Sequence, residues 1–438
     1  MQYPLGQDRK SFDDGAIGRV RPRGRCRMAP GCYEGPVKRP YLERLVVNVA
    51  HDCNLRCGYC YADKGAYGQA RTQLAPGLAE RIAETFLARF ERIGTIQLFG
   101  GEPFLNLRGV DGFCRHVAAV CEREGAPLPR FTAVTNGTLA SDAVIRVVND
   151  HRIALTVSLD GNRAIHDAQR VFAGGAGSFD RVVAGVKKLK AATGQPRQVE
   201  ATFTAAHLAA GFSIADFMRF LAAELGVRRL HMPWILGEGA YDGAGIAPTD
   251  ANVAQLAHAY RDAVDASLAA LESPELADTV LLSQVDDAIR AALAGRAPAP
   301  RTHLCPAGGG TLSVGADGRV TPCFMFTNKP GFELADVRAF DDAGFDARRA
   351  TFVRRLELPA DAGGPFAIRA ACAGQNHEVS GRVGEVSAAN LRVQAAIADH
   401  LRRAVNALVA DANRWSWVRC KLMLHQLEAG APFEAVEC

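Results

Sequence analysis

The sequence predicts an α/β fold in which parallel strands alternate with helices. Six short apolar runs rich in β-branched residues lie between residues 43 and 235, and amphipathic stretches with helical spacing separate them. Several of these runs are apolar on both faces, which is typical of parallel strands covered by helices. Periodicity leaves open whether the units form a partial barrel or an open doubly wound sheet. In both architectures ligands bind at the carboxyl ends of the strands.

The elements follow one another in a regular order. The predicted strands are ERLVVNVA, TIQLFG, RFTAVTNG, IALTVSLDG, QVEATFTA and RRLHMPWI. The predicted helices between them are LAERIAETFLARF, GFCRHVAAVCERE, DAVIRVVND, FDRVVAGVKKLKAA and IADFMRFLAAEL. Two capped amphipathic helices follow within 250–295, the Asp-Gly turn in GTLSVGADGRVTPCF predicts a β-hairpin, and two long helices end the sequence.

Composition and pattern divide the sequence into five predicted segments. They are an irregular basic arm (1–42), the strand–helix alternation (43–245), a helical connector (246–299), a hairpin region (300–385) and C-terminal helices (386–438). The arm contains alternating arginines in RVRPRGRCR and has no apolar period.

Composition and charge exclude several classes of protein. The 438 residues are 48% hydrophobic and 22% charged, which is typical of a globular protein and excludes whole-chain disorder. A net charge of +4, from 51 basic and 47 acidic residues, gives no support for a nucleic-acid partner. No apolar stretch approaches the roughly 20 residues of a membrane helix, and the first residues contain no signal-peptide core. We therefore expect a cytoplasmic protein without membrane or nucleic-acid partners.

The cysteines indicate metal chemistry. In a reducing compartment twelve cysteines favour metal binding, catalysis or burial over disulfides. Cys53, Cys57 and Cys60 form a C-x3-C-x2-C pattern directly after the first predicted strand. Structural zinc sites and ordinary iron–sulfur clusters have four protein ligands, so three thiolates leave one metal position open. The alternatives are a zinc site completed by a residue such as His51, or three unrelated buried thiols.

The segment CNLRCGYC resembles the cluster-binding loop of radical S-adenosylmethionine (radical SAM) enzymes. This resemblance implies a partial (β/α)6 barrel in which Cys53, Cys57 and Cys60 hold a 4Fe-4S cluster and SAM binds the fourth iron. It implies further that Tyr59 packs near the adenine. One electron from the cluster then cleaves SAM to a 5′-deoxyadenosyl radical, which abstracts a hydrogen atom from the substrate.

Other motifs at the predicted strand ends resemble the SAM contacts of this family. GGEP, one unit after the triplet, resembles the motif that contacts the SAM amino group, and further polar contacts are expected at the ends of the next strands. The residues expected to bind SAM are Tyr59, Gly100, Gly101, Glu102, Pro103, Asn136, Ser158, Asp160 and Arg170. The alternative for the polar members is a turn or capping role, and for Arg170 a surface position.

A second cysteine set surrounds the predicted hairpin. Cys305 and Cys323 flank it in a pattern that resembles the opening of the SPASM or twitch extension, which carries auxiliary clusters. The usual C-x2-C-x5-C-x3-C block is absent, so we expect at most one auxiliary 4Fe-4S cluster, held by Cys305, Cys323, Cys372 and Cys420. A degenerate extension without metal is the alternative.

The resemblance implies a peptide maturase that acts on a ribosomally made precursor and forms a side-chain crosslink. It also implies an electron donor such as flavodoxin or ferredoxin, and a separate leader-binding protein is compatible with it. Formylglycine-forming relatives have an Asp base where this sequence has Phe324, so no catalytic base is assigned. His231 lies near a predicted strand end, where a substrate contact competes with a structural role. The functional alternatives are a small-molecule radical SAM dehydrogenase and a non-enzymatic iron–sulfur or zinc protein.

Overall fold

A central sheet with helices packed against it forms the core of the protein. The computed structural model describes residues 41–275, 279–295, 302–358 and 371–428. The predicted basic arm, apart from its last two residues, lies outside this part of the chain, as do Cys26, Cys32 and Cys438. Among the described helices, none is long and apolar enough to cross a membrane.

The strands occur in the predicted order, with short additions. They are β1 (Leu42–His51), β2 (Thr72–Gln73), β3 (Ile93–Gly100), β4 (Arg130–Thr135), β5 (Ala154–Ser158), β6 (Gln198–Glu200), β7 (Arg229–His231), β8 (Leu281–Leu282), β9 (Thr311–Val314), β10 (Arg319–Thr321) and β11 (Ala335–Asp336). The six predicted strands correspond to β1, β3, β4, β5, β6 and β7. The predicted hairpin is formed by β9 and β10, which pair antiparallel.

The described helices lie in the connections between the strands and, from α10 onward, after the last strand. They are α1 (Pro76–Arg89), α2 (Leu107–Glu124), α3 (Asp142–Asp150), α4 (Arg163–Gln169), α5 (Phe179–Thr193), α6 (Ala205–Ala209), α7 (Ile214–Leu225), α8 (Asp250–Glu272), α9 (Ser283–Leu293), α10 (Asp342–Arg354), α11 (Ala373–Ser380), α12 (Ala388–Ala410) and α13 (Ala412–Glu428).

The predicted parallel α/β architecture is confirmed. The strands lie in one path, β11-β10-β9-β1-β3-β4-β5-β6-β7-β8, and β2 pairs with β1 off this path. Neighbours from β9 through β1 to β8 are parallel. Parallel strands need crossover connections, which the intervening helices provide. The carboxyl ends of these strands therefore meet at one edge of the sheet.

The hairpin extends the same sheet instead of forming a separate one. Strand β9 pairs in parallel with β1, from Arg44 opposite Thr311 to Val47 opposite Val314. Gly318 lies in the turn with φ +85°, a conformation that glycine adopts without strain. Cys53 follows β1 and Cys323 follows β10, so both cysteine regions are attached to strands of the same sheet.

Apolar side chains on both faces of the sheet hold the helices in place. Along β1, residues 45–51 are all buried, as expected for a strand covered on both sides. Helix α2 begins at Asn106, whose side-chain oxygen accepts a hydrogen bond from Gly109 N at 3.1 Å and whose amide donates to Val49 O at 2.9 Å. This one side chain both caps α2 and fixes it to β1 next to the cysteine loop.

Candidate active site

The loop that carries the cysteine triplet folds tightly over the end of β1. A Cβ atom added to Gly65 would lie 2.6 Å from Cys53 Cβ, and one added to Gly101 would lie 2.2 Å from Asp52 O. Glu102 N donates to Asp52 O at 2.8 Å, so the GGEP turn is hydrogen-bonded to the loop. The two glycines permit this contact because they lack side chains. The triplet loop and the GGEP turn thus form one packed unit.

The three thiols line a cavity of about 540 Å³ at the carboxyl edge of the sheet. Among the described residues, no three His, Cys, Asp or Glu side chains are placed to hold a metal ion together. His51, the candidate fourth ligand of a zinc site, uses Nε2 to accept a hydrogen bond from Ala316 N at 3.1 Å. A 4Fe-4S cluster binds each thiolate to a different iron, so it fits separated thiols better than one zinc ion does.

Burial makes two thiols of the triplet, those of Cys53 and Cys57, difficult to ionise. Burial, reinforced by the nearby Glu102 carboxylate, raises the pKa of Cys53 to about 12. Burial also raises the pKa of Cys57 to about 11, although Arg170 opposes the shift. A bound cluster supplies the positive charge that buried thiolates need. The donor set therefore suits a site completed by metal.

Glu102 is fully buried, and its carboxylate is hydrogen-bonded to residues at the end of β4. Its carboxylate accepts hydrogen bonds from Asn136 N at 2.7 Å, Thr135 Oγ1 at 2.8 Å and Phe104 N at 3.1 Å. Burial nevertheless raises the pKa of Glu102 to about 7. This arrangement holds Asn136 beside the triplet, where its amide nitrogen lies 3.8 Å from Cys53 Sγ.

Asp160, fully buried just after β5, is the centre of a second network. It accepts hydrogen bonds from the Tyr59 hydroxyl, from Arg170 Nε at 2.9 Å and from Thr202 N at 3.1 Å. Burial opposes ionisation of Asp160, but Arg170 and His166 hold its pKa below the usual value. The Arg170 guanidinium carbon lies 5.3 Å from the centroid of the Tyr59 ring. Asp160 thereby fixes an aromatic ring and a cation on the cavity wall.

Three cysteines of the second set, Cys305, Cys323 and Cys372, lie close to one another, and Cys372 lines the cavity. Burial raises the pKa of Cys323 to about 12, and Cys372 and Cys305 act on it electrostatically in the same direction. Burial likewise raises the pKa of Cys372, which lines the cavity at the start of α11. Cys305 and Cys323 also pack against a small apolar cluster that includes Phe326 and Phe352.

Comparison with known protein families identifies the region that contains the cysteine triplet. Residues 47–221 match the Radical SAM superfamily. They form a radical SAM domain. This family uses a 4Fe-4S cluster together with SAM, which agrees with the three cavity-lining thiols.

Curated relatives match about a third of this chain. The cysteine-type anaerobic sulfatase-maturating enzyme of Clostridium novyi (strain NT) is 27% identical over 156 residues, covering 34% of this chain and 40% of that protein. A GTP 3′,8-cyclase of Xanthomonas campestris pv. campestris is 31% identical over 168 residues, covering 36% and 46%. The chain thus spans less than half the length of these relatives.

Solved structures share the fold over a longer stretch. Native anSMEcpe with bound AdoMet superposes with a TM-score of 0.62 and 15% identity, covering 85% of this chain and 99% of that one. SuiB of Streptococcus suis gives a TM-score of 0.52 and 14% identity, covering 80% and 77%. The similarity therefore extends beyond the radical SAM domain into the region of the second cysteine set.

The structure separates the residues expected to bind SAM into two groups. Those that line the cavity of the radical SAM domain are Tyr59, Gly100, Gly101, Asn136, Ser158 and Arg170. Glu102, Pro103 and Asp160 are buried and are not among the lining residues. The carboxylates of Glu102 and Asp160 accept hydrogen bonds from neighbouring donors and so hold lining groups in place, and the SAM contacts of this second group stay predictions.

Cys420, the fourth residue expected in the auxiliary set, lies away from Cys305, Cys323 and Cys372, and its role as a ligand stays a prediction. Cys420 is exposed on α13, and the adjacent Lys421 amine donates to Ala270 O and Ser273 O at the last turn of α8. The cavity instead lies near the start of α12, where Asn390 accepts from the Trp234 indole at 3.1 Å. Helices α8 and α12 each have 23 residues, roughly 35 Å of helix, and α13 packs at their far end.

Sequence reasoning missed the polar wall on the far side of the cavity. Its members are Glu200, Thr202, Arg229, Ser283, Gln284 and Asp287, with His231 as the one residue already noted at a strand end. Positions at the ends of β6 and β7 were a usable signal, since parallel strand ends face the ligand. The sequence did not indicate that α9 supplies residues to the cavity. Helix α9 is brought to the cavity by β8, which has only two residues and therefore no visible strand pattern.

Proposed function

We propose that this protein is a cytoplasmic radical SAM enzyme that abstracts a hydrogen atom from a side chain of a ribosomally made precursor peptide and forms a side-chain crosslink. The observation that carries the proposal is the shared cavity, which Cys53, Cys57 and Cys60 line together with Cys372. When bound, the 4Fe-4S cluster supplies the electron that cleaves SAM to a 5′-deoxyadenosyl radical.

Residues of the radical SAM domain hold SAM against the triplet. Arg170, fixed through Nε by Asp160, presents its guanidinium to the SAM carboxylate. Tyr59, fixed by the same aspartate, would hold the adenine. Because Asp160 sets both side chains before SAM binds, little of the binding free energy is spent on ordering them.

The peptide substrate is supported by the fold neighbours. The solved structure of native anSMEcpe with AdoMet and a bound peptide has a TM-score of 0.60 and 16% identity to this chain. The cavity volume of about 540 Å³ is sufficient for the methionyl part of SAM and one substrate side chain. Reduction by a flavodoxin or ferredoxin and leader capture by a separate protein complete the proposal.

One auxiliary cluster belongs to the same proposal. Cys305, Cys323 and Cys372 supply three thiolates, and Cys372 brings the site to the cavity wall. A cluster held by these three cysteines would supply electron transfer at this wall of the cavity, and Cys372 is the residue that would connect it to the cavity.

A small polar molecule is the second candidate substrate. The wall formed by Glu200, Arg229 and Asp287 is charged, unlike a pocket for an apolar side chain. GTP 3′,8-cyclases are among the relatives that match about a third of this chain, and their name indicates a small polar substrate of this kind.

The decisive experiment is anaerobic reconstitution with iron counting and a 5′-deoxyadenosine assay with SAM and reductant. Wild type is expected to hold about eight irons, and a Cys53→Ala/Cys57→Ala/Cys60→Ala variant about four with no deoxyadenosine. Cys114→Ala, which removes a thiol buried on α2, is the matched control and retains both. Iron binding without deoxyadenosine in wild type contradicts the proposal and favours a non-enzymatic iron–sulfur protein.

The substrate class is tested with a panel of peptides deuterated in their side chains. Transfer of deuterium to 5′-deoxyadenosine from a peptide identifies the abstracted hydrogen and supports the peptide proposal. Transfer from deuterated nucleotides but from no peptide supports the second candidate.

A further inference from the structure

A row of polar side chains crosses the cavity wall away from the cysteine triplet. Ser158, Glu200 and His231 are register partners on β5, β6 and β7, and all three line the cavity. Register partners on parallel strands point to the same face of the sheet. The row ends at His231, next to the first turn of α9.

Hydrogen bonding fixes which ring nitrogen of His231 carries the proton. His231 Nδ1 lies 3.0 Å from Ser283 Oγ, and the Ser283 hydroxyl donates to Gln284 Oε1 at 3.1 Å. A serine hydroxyl has one hydrogen, so towards His231 it acts as the acceptor. In this arrangement Nδ1 carries the hydrogen of the neutral ring and Nε2 keeps an unshared electron pair, in a residue that lines the cavity.

We propose that His231 is the proton acceptor for an O–H or S–H group of the substrate in this cavity. The O–H or S–H bond breaks heterolytically, its electron pair stays on oxygen or sulfur, and the proton moves to Nε2. The step consumes no oxidant. It rests on the proposed function, because that reaction brings the substrate to the cavity.

The surroundings of His231 are suited to this role. The other wall of the cavity offers no carboxylate at the second hairpin cysteine, since Phe324 lies there against Phe99 with ring centroids 4.7 Å apart. The charged groups that line the cavity near His231 are Glu200 on β6, Arg229 on β7 and Asp287 on α9. Arg229 is paired with Asp286 at 2.9 Å and with Asp287 at 3.0 Å, so its charge is largely compensated.

The tautomer is tested by ¹⁵N NMR of histidine-labelled, reconstituted protein, with His231→Asn used to assign the signal. His207 is an internal reference, because its Nδ1 accepts from Thr204 N at 3.1 Å and its Nε2 faces Asp160 O at 2.6 Å. We expect the proton on Nδ1 in His231 and on Nε2 in His207. Ser283→Ala should abolish the preference in His231. A proton on Nε2 of His231 in the neutral ring overturns the proposal.

The chemical role is tested with a peptide that passes deuterium to 5′-deoxyadenosine. In His231→Gln the yield of modified peptide per deoxyadenosine should fall about 100-fold or more, which is the usual effect of losing a general base. His258→Gln, an exposed histidine on α8, is the control and should match wild type. A yield ratio within threefold of wild type in His231→Gln overturns the proposal. Absence of deoxyadenosine in wild type instead counts against the proposed function, while the NMR result stands on its own.

Discussion

Asp160 shows how one buried residue organises the SAM side of the cavity. Its side chain is fully buried and binds Tyr59, Arg170 and the backbone of Thr202, and its backbone oxygen faces His207. A buried carboxylate is stable in this position because a buried cation and several donors compensate its charge. Removing the charge should therefore affect the cavity more than the volume change suggests.

We expect Asp160→Asn to weaken SAM binding at least tenfold. The neutral amide leaves Arg170 buried without its partner, and breaking a buried pair costs about 3–5 kcal/mol of stability. The triplet iron should remain near four per chain. Equilibrium dialysis with SAM, iron counting and thermal unfolding measure these effects. Asp142→Asn, at an exposed surface pair with Lys188, is the control. Unchanged SAM affinity in Asp160→Asn would contradict the positioning role.

His166 makes stability depend on pH in a defined direction. Burial lowers its pKa from 6.5 to about 4, while its ring is held by Asp160 N at 3.3 Å and Ser178 Oγ at 2.9 Å. The unfolded chain binds a proton near pH 6.5 and the folded chain does not. The free energy of unfolding therefore falls as pH decreases from about 6.5 to 4, by about 3 kcal/mol from this residue.

The measurement compares wild type with His166→Gln by anaerobic denaturant unfolding at several pH values. The variant is less stable at pH 7 because it loses ring hydrogen bonds. The gap should narrow between pH 6.5 and 4, since the glutamine does not titrate. Parallel stability curves across this window would show that the histidine is not responsible.

At the scale of elements, the position of α13 keeps Cys420 away from the other cysteines of the expected auxiliary set. Lys421 is 2% exposed, and its amine donates to three carbonyls at and beyond the end of α8, those of Ala270, Ser273 and Glu275. These bonds compensate a buried ammonium and fix α13 at the far end of the helical layer. Cys420, the neighbouring residue, is held there with it.

We expect Cys372→Ala to lose about four irons and Cys420→Ala to lose none. The reason is placement, since Cys372 lies with Cys305 and Cys323 and Cys420 does not. Iron counting and electron paramagnetic resonance of the reduced protein measure the difference. Equal iron loss in both variants would place Cys420 in the auxiliary site after all.

The elements also show what sequence patterns reveal. The six parallel strands were predictable because each is a compact run of apolar, β-branched residues bounded by turns. Strand β8 was not, since Leu281–Leu282 is too short for any period to be visible. The pairing of β9 with β1 was not predictable either, because it depends on contacts between distant parts of the chain.

At the scale of the whole molecule, the sequence indicated the cysteines of the candidate site but not the polar residues that line the rest of the cavity. Cysteine spacing pointed to the triplet, because thiolate ligands have few substitutes in a cluster site. The auxiliary set was expected from the resemblance to the extension and from the number of cysteines there, and it included Cys420 because a sequence does not show the distance between α11 and α13. The polar wall around His231 emerged from strand register and the placement of α9, which require the folded sheet.

The pairing of β1 with β9 has a consequence for how the protein is made. Strand β3 leaves the ribosome soon after β1, whereas β9 follows only after residues 52–310 have been synthesised. During that interval one edge of β1 exposes unpaired backbone groups, which favour association with other nascent chains. The triplet loop is complete long before Cys323 and Cys372 emerge. The triplet loop is therefore synthesised before the hairpin that carries Cys323, and β9 pairs with β1 only when the other parallel strands of the sheet are already present.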